Sequence, residues 1–146
     1  MKVMKFGGTS VGKPERMHQV AELITADKEP KIVVLSALSG TTNALVEIGD
    51  SIAKGDRDLA KQQIDKLESH YQSFISQLVK NAQALDKAKQ IISEHFEFLN
   101  IILKISFNEA LNKDILAQGE LLSTKLFSVF LGEKGIDHQL LFASHP

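Results

Sequence analysis

The chain has 146 residues, of which 43% are hydrophobic and 24% are charged, and its formal net charge is −1. This composition is typical of one globular domain with a buried core; it excludes a disordered chain and a strong basic field for non-specific nucleic-acid binding. Because the sequence contains no cysteine, it also excludes a disulfide framework, a thiolate nucleophile and a cysteine-ligated metal.

The distribution of apolar residues predicts neither a signal peptide nor a membrane-spanning segment. The first ten residues lack the apolar stretch of a signal peptide. The longest apolar runs, such as 32–35, are far shorter than the ~20 residues that span a bilayer. We therefore expect a soluble cytoplasmic protein.

The chain begins with two predicted strands separated by a helix. Residues 1–6 are short, apolar and followed by two glycines, which predicts a strand that ends at a glycine-rich turn. The apolar periodicity over 14–27, with a proline at its first position, predicts a helix. Residues 31–35 are continuously apolar and β-branched, as in a strand buried on both faces.

A small, polar segment over 36–43 follows the second strand and is predicted to be a loop. A second helix is predicted to begin near Asn43, with Thr41 or Thr42 as its cap. The order strand, helix, strand, helix implies a parallel sheet with right-handed crossovers.

The rest of the chain is predicted to be mainly helical. Apolar residues recur at helical spacing over 57–80 and 84–106, which predicts two amphipathic helices packed as an antiparallel pair. A third helix is predicted over 114–132, and the apolar run 139–143 predicts another strand. The fold class is therefore α/β, with a long helical insertion after the first two strands.

The five histidines show no metal-binding spacing. His70 and His95 fall within the predicted amphipathic helices and are expected to be ordinary surface or boundary residues. No metal-ligating residue is predicted.

The first candidate site is the loop Lys5-Phe6-Gly7-Gly8-Thr9-Ser10. Adjacent glycines at a strand end let backbone N–H groups approach anionic oxygens, and Lys5 supplies a cation nearby. Thr9 and Ser10 add hydroxyl groups. The alternative is a plain tight turn with a solvated lysine.

The sequence of the same loop argues against a phosphate-loop nucleotide site. Gly7 to Lys13 matches most of the phosphate-loop pattern G-x-x-x-x-G-K-[ST], but the next residue is Pro14. Proline has neither the hydroxyl that the magnesium ion needs nor a backbone N–H.

The second candidate site follows the second predicted strand, over Ser36 to Asn43. Ligands of open α/β sheets bind outside the carboxyl ends of the strands, so this loop and the glycine loop can face each other across one crevice. Hydroxyls and helix N-terminal N–H groups there suit a carboxylate. A capped helix start without a ligand is the alternative.

The third candidate site is the segment Ala117 to Ser123, where Gly119 and Glu120 interrupt an apolar helical run. A glycine inside a helix costs about 1 kcal/mol relative to alanine, which indicates close approach of another group. Glu120 is either buried there, where it can pair with an ammonium group, or solvated on a helix face.

Together the strings KFGGTSV at 5–11, VVLSALSGTTNAL at 33–45 and AQGELLS at 117–123 resemble the N-terminal half of an aspartokinase. They occur in that family's order and at about its spacing, and the likeness extends to about residue 142. The resemblance implies the N-terminal portion of an amino-acid-kinase three-layer αβα sandwich with a mainly parallel sheet.

The resemblance also implies a role for each candidate residue. Lys5 would be the catalytic lysine that stabilises charge on the transferred phosphoryl group, and Gly7 and Gly8 would bind the same oxygens. Residues implied to bind or shape the site for aspartate are Thr9, Ser10, Ser36, Thr42 and Glu120, the last through the α-ammonium.

Aspartokinases transfer the γ-phosphoryl group of ATP to the side-chain carboxylate of L-aspartate, the first step toward lysine, threonine and methionine. In this family the kinase domain is considerably longer than 146 residues, and its second half holds ATP and Mg²⁺. We therefore expect residues 1–146 to be the aspartate-binding part of such a domain, inactive alone and without regulatory ACT modules.

The alternatives are a non-catalytic aspartate-binding or regulatory fragment and another amino-acid kinase, for glutamate or acetylglutamate. For the parent protein the resemblance implies a cytoplasmic homo-oligomer that binds neither nucleic acid nor membrane.

Overall fold

The computed structural model describes residues 1–105 and 108–142, and of Thr9 and Ser10 it describes the backbone alone. A small parallel sheet is formed by β1 (Lys2–Phe6) and β2 (Lys31–Leu35), in the register Lys2 to Lys31 through Phe6 to Leu35. The helices follow as α1 (Pro14–Ile24), α2 (Thr41–Ala53), α3 (Arg57–Leu78), α4 (Ala82–Ile102) and α5 (Glu109–Glu133). A short 3-10 helix, Gly8–Val11, occupies the predicted glycine turn.

The α/β class and the long helical insertion are confirmed. In the described part of the chain, α5 lies against the sheet through β2 and also packs on α2 and α4. The opposite face of the sheet exposes Val3, Ile32 and Val34, which are 58%, 41% and 44% accessible. Within these residues the helices therefore cover one face of the sheet, and the prediction that 31–35 is buried on both faces is wrong.

The helices α3 and α4 form the predicted antiparallel pair. Lys61 near the start of α3 donates to Asn100 near the end of α4, and the rings of Tyr71 and Phe96 lie 5.8 Å apart further along. The apolar faces of both helices join one core with α2 and α5, so the insertion is part of the same folding unit.

The start of α2 differs from the prediction. Its N-cap is Gly40, in the left-handed region at φ 84°, and no threonine side chain caps it. Thr41 is buried, and its hydroxyl lies 2.8 Å from the buried hydroxyl of Tyr71 on α3. The Thr41 hydroxyl is therefore hydrogen-bonded to Tyr71 and does not cap the helix. Gly40 makes the sharp turn before α2 without a side-chain cap.

The predicted strand over 139–143 is wrong for the residues that the structure describes. Residues 139–142 have no regular structure, and Leu141 is 67% exposed; residue 143 lies outside the described part. An apolar run is compatible with a strand, but a strand forms only where its backbone pairs with a neighbour.

Among the helices of residues 1–105 and 108–142, none combines the length and the apolar character of a membrane-spanning segment.

Replacing Tyr71 with phenylalanine tests the link between α2 and α3. Burial raises the pKa of Tyr71 to about 12, against the opposing hydrogen bond with Thr41. The unfolded chain loses the phenol proton near pH 10, so the unfolded state binds fewer protons between about pH 10 and 12 and stability falls as pH rises there. Tyr71→Phe should cost about 1–2 kcal/mol at neutral pH by leaving Thr41 unpaired.

The measurement is urea unfolding of both proteins at about pH 7.5 and at about pH 10.5. The variant should lose less stability than the parent between these values, because other groups titrate equally in both chains. Equal losses in the two proteins would contradict the assigned burial of the phenol.

Candidate functional site

The three sequence motifs meet at Ser36, the residue directly after β2. The Ser36 backbone N–H donates to Phe6 O at 3.0 Å, which continues the ladder between β1 and β2. The Gly8 N–H donates to Ser36 Oγ at 3.3 Å, and the Ser123 hydroxyl on α5 donates to Ser36 O at 2.6 Å. The glycine loop and the serine loop, which were predicted to face each other across a crevice, are therefore in direct contact. Helix α5 contacts the serine loop at the same residue.

Gly7 leaves room for the Ser36 side chain at this point. A Cβ atom added to Gly7 would lie 2.7 Å from Ser36 Oγ, closer than van der Waals contact permits. The glycine loop and the serine loop therefore pack backbone against side chain at the carboxyl end of the sheet, where parallel α/β sheets bind ligands.

The helix α5 touches the serine loop through its own glycine. A Cβ atom on Gly119 would lie 2.8 Å from Cβ of Ala37 and 3.2 Å from Cγ2 of Thr41. One turn later, Ser123 Oγ lies near both Ser36 O and Glu120 O, at 2.6 and 3.1 Å. The close approach that Gly119 predicted is confirmed, and the serine ties the Glu120 turn to Ser36.

The charged candidate side chains face solvent. Lys5 is exposed on the bare face of the sheet, beside Val34, its partner in the register. Glu120 is exposed on α5, so the solvated alternative describes this side chain. The salt bridges in the described part of the chain engage other lysines (Lys2, Lys31 and Lys61), which leaves Lys5 accessible to an anion.

The hydroxyl candidates fall into three groups. Ser36 is half-buried at the junction, whereas Thr42 is exposed in the first turn of α2. The side chains of Thr9 and Ser10 lie outside the described part of the structure, and their backbone belongs to the 3-10 helix. The structure therefore joins Gly7, Gly8 and Ser36 by direct contact, with Lys5 two residues before Gly7.

Sequence reasoning gave no role to two residues at the junction. Ser123 closes α5 onto Ser36, and its place one turn after Gly119 is a usable signal because both lie on one helix face. Gly12 packs against Ser39, with a virtual Cβ at 2.8 Å from Ser39 Cβ. A pair of small residues in two loops expected to face each other is a weaker signal.

The sequence model of the Amino acid kinase family matches residues 1–145. The chain belongs to the amino acid kinase family. Within it, the chain is 39% identical over 142 residues to aspartokinase 2, chloroplastic, of Arabidopsis thaliana, covering 91% of this chain and 25% of that protein. It is 30% identical over 139 residues to the lysine-sensitive aspartokinase 3 of Escherichia coli (strain K12), covering 94% and 30%.

The fold agrees with a solved structure. The crystal structure of E. coli aspartokinase III in complex with aspartate and ADP superposes with a TM-score of 0.72 at 27% identity, over 92% of this chain and 29% of that one. The chain thus spans between a quarter and a third of the length of these three relatives, and the predicted aspartokinase resemblance is confirmed.

Two glycines of α5 provide a matched test of the junction. Gly119→Ala should destabilise the fold by about 1–3 kcal/mol, because the new methyl overlaps Ala37 and Thr41. Gly132→Ala, in the same helix with nothing within 4 Å of the added methyl, should stabilise it by about 0.5–1 kcal/mol. Chemical unfolding of the three proteins measures both changes. A Gly119→Ala variant as stable as the Gly132→Ala variant would refute the close packing.

Proposed function

We propose that this chain is the aspartate-binding part of an aspartate kinase, which transfers the γ-phosphoryl group of ATP to the side-chain carboxylate of L-aspartate. The observation that carries the proposal is the junction at Ser36, which gathers the glycine loop, the serine loop and α5 at the carboxyl end of the sheet. The similarity to aspartokinases, one of them solved with aspartate and ADP, supports the choice of substrates.

The chemistry asks the protein mainly for positioning and positive charge. A carboxylate oxygen of aspartate forms a bond to the γ-phosphorus, the bond from that phosphorus to the β,γ-bridging oxygen breaks, and ADP leaves with the electron pair. The acceptor carboxyl has a reference pKa of ~3.9, so it is ionised at neutral pH and needs no general base. Charge on the transferred group must be balanced as it moves.

Lys5, Gly7 and Gly8 are proposed to bind the transferred phosphoryl group. The exposed Lys5 ammonium is accessible to phosphate oxygens, and Gly7 and Gly8 follow it directly after β1. The Gly8 N–H makes a long bond of 3.3 Å to Ser36 Oγ, which a phosphate oxygen can replace with a shorter, charge-assisted one.

Ser36, Thr42 and Glu120 are proposed to bind aspartate, with Thr9 and Ser10 shaping the loop beside it. Glu120 presents an exposed carboxylate that suits the α-ammonium, and Thr42 presents an exposed hydroxyl. The Ser123 hydroxyl lies within hydrogen-bond distance of both Ser36 O and Glu120 O, so Ser36 and the turn that carries Glu120 are held together.

We propose that ATP and Mg²⁺ are bound mainly by residues outside this chain, and that the chain alone is inactive. The share of 25–30% of the matched relatives supports this division. This partial coverage equally favours the second candidate function, a non-catalytic aspartate-binding or regulatory fragment.

The test of catalysis joins residues 1–142 to the remainder of the E. coli lysine-sensitive aspartokinase 3. The chimera should release ADP when given aspartate and Mg-ATP, and Lys5→Ala should lower turnover by about 100-fold or more, because it removes charge from the transition state. Lys2→Ala, an exposed lysine of the same strand, is the control and should change turnover less than about twofold.

Normal turnover in Lys5→Ala would remove the proposed role of Lys5. A folded but inactive chimera would support the non-catalytic fragment instead. A preference for glutamate or acetylglutamate as acceptor would assign the chain to another amino-acid kinase.

Aspartate binding by the chain itself tests Glu120. Calorimetry with L-aspartate should show that Glu120→Gln weakens binding by about tenfold or more, since a hydrogen bond to a charged group contributes about 1.5–3 kcal/mol. Glu97→Gln on α4, also exposed, should leave the affinity unchanged. Equal affinities in the two variants would contradict the assignment, and tight binding of Mg-ATP would contradict the proposed division of the site.

A further inference from the structure

A buried polar cluster lies between α4 and α5, on the side of α5 away from the junction. His95 of α4 is 7% exposed, against the expectation of a surface or boundary residue, whereas His70 is exposed as expected. Nδ1 of His95 lies 2.5 Å from Gln118 Oε1, and its Nε2 lies 2.9 Å from Lys125 Nζ. We call these three residues the His95 cluster.

The hydrogen bonds of the cluster select one state of the imidazole ring. Gln118 Nε2 donates to Asp114 O at 3.0 Å, so its Oε1 is the acceptor that faces the ring. Nδ1 of His95 must then carry the proton. Lys125 is a donor without an acceptor, so Nε2 is the bare nitrogen that accepts from it, and the ring is neutral.

The cluster contacts α5 on a different face from the serine loop. Gln118 and Lys125 are seven residues apart and lie on one face of the helix, toward α4, whereas Gly119 and Ser123 lie on another, toward Ala37 and Ser36. A helix held on two faces has a fixed rotation. That rotation sets the direction of Glu120, which directly follows Gly119.

We propose that the His95 cluster is a pH-sensitive positioning device, which holds α5 in the rotation that presents Glu120 to aspartate only while the His95 ring is neutral. The inference rests on the proposed function, because it takes Glu120 as the group that binds the substrate ammonium. His95, Gln118 and Lys125 are positioning residues in it, and none of them touches the substrate.

Protonation of His95 breaks the cluster at a definite atom. A proton on Nε2 removes the acceptor of Lys125 and places two cations at hydrogen-bond distance, so the lysine must withdraw. Its Nζ already lies 5.8 Å from the ring centre of Phe142, on the solvent side. Loss of the lysine removes one of the two polar contacts that hold this face of α5, while the bond from Nδ1 to Gln118 remains.

The charges around the ring give the sign of the effect. Burial is the largest cause lowering the pKa of His95 and the Lys125 ammonium lowers it further, while the bond to Gln118 and the charge of Glu94 raise it. Among the described residues, Lys125 of α5 and Glu94 of α4 are the charged groups acting on the ring. The pKa of the folded state is thus below 6.5, and the stabilisation is present above about pH 6.5 and is lost as pH falls below it.

The test compares the chain with His95→Gln, whose amide can keep both hydrogen bonds and does not titrate, and with His70→Gln as the control for an exposed histidine. Aspartate affinity is measured by calorimetry at about pH 7.5 and about pH 5.5, a window in which the aspartate side chain stays ionised. The parent and His70→Gln should lose about threefold or more of their affinity on acidification, and His95→Gln should lose less than half as much on the logarithmic scale. The same loss in all three proteins overturns the proposal.

A second readout separates this inference from the proposed function. In the parent, the amide resonances of Gly119 and Ser123 should shift with the titration of the His95 ring, measured by NMR without ligand, and Lys125→Met should move that titration to higher pH while Lys113→Met does not. If no protein binds aspartate but these resonances follow His95, the substrate assignment fails and the positioning device stands. If the resonances do not follow His95, the device is refuted whether or not aspartate binds.

Discussion

The main chain of Ser36 is the point on which the arrangement of the candidate site depends. Its N–H continues the pairing of the two strands, its carbonyl accepts from Ser123 of α5, and its side chain accepts from the glycine loop. A backbone amide and carbonyl at a strand end would otherwise need water or another partner. Here the amide is bonded to β1 and the carbonyl to α5. The hydrogen bonds that satisfy the Ser36 backbone therefore also bring the candidate residues together.

The close packing at this junction depends on two glycines, which have no side chain. Gly7 and Gly119 leave no room for a side chain, and the contacts they make are with Ser36 and with Ala37 and Thr41. The glycine backbones therefore pack closely against these side chains, while the charged groups Lys5 and Glu120 stay at the surface. The proposed site for anionic substrates would gain from this division, because solvated charges remain ionised until a ligand replaces the water.

Much of this arrangement follows from the sequence, and the exceptions have physical reasons. The periodic apolar residues of α3 and α4 predict both helices to within a few residues, because burial on one face decides them. The meeting of the two loops follows from the parallel order of the strands. The cap of α2 does not, since the partner of Thr41 is Tyr71, a residue 30 positions away. Periodicity within α4 places His95 on the buried stripe with Ile92 and Leu99. Its polar partners, Gln118 and Lys125, lie on another helix, and the pattern of α4 cannot reveal them.

The distance along the chain between the partners of the junction bears on how the protein folds. The strands are joined through the 3-10 helix and α1, and α3 and α4 are joined by residues 79–81, so these units are built from neighbouring segments. The bond between Ser123 and Ser36 instead spans 87 residues. Closing a long loop costs more chain entropy than pairing neighbours, and contacts of high sequence separation slow folding. We therefore expect α5 to dock onto the serine loop late in folding, and a nascent chain that has not yet emerged through residue 123 cannot hold an assembled site.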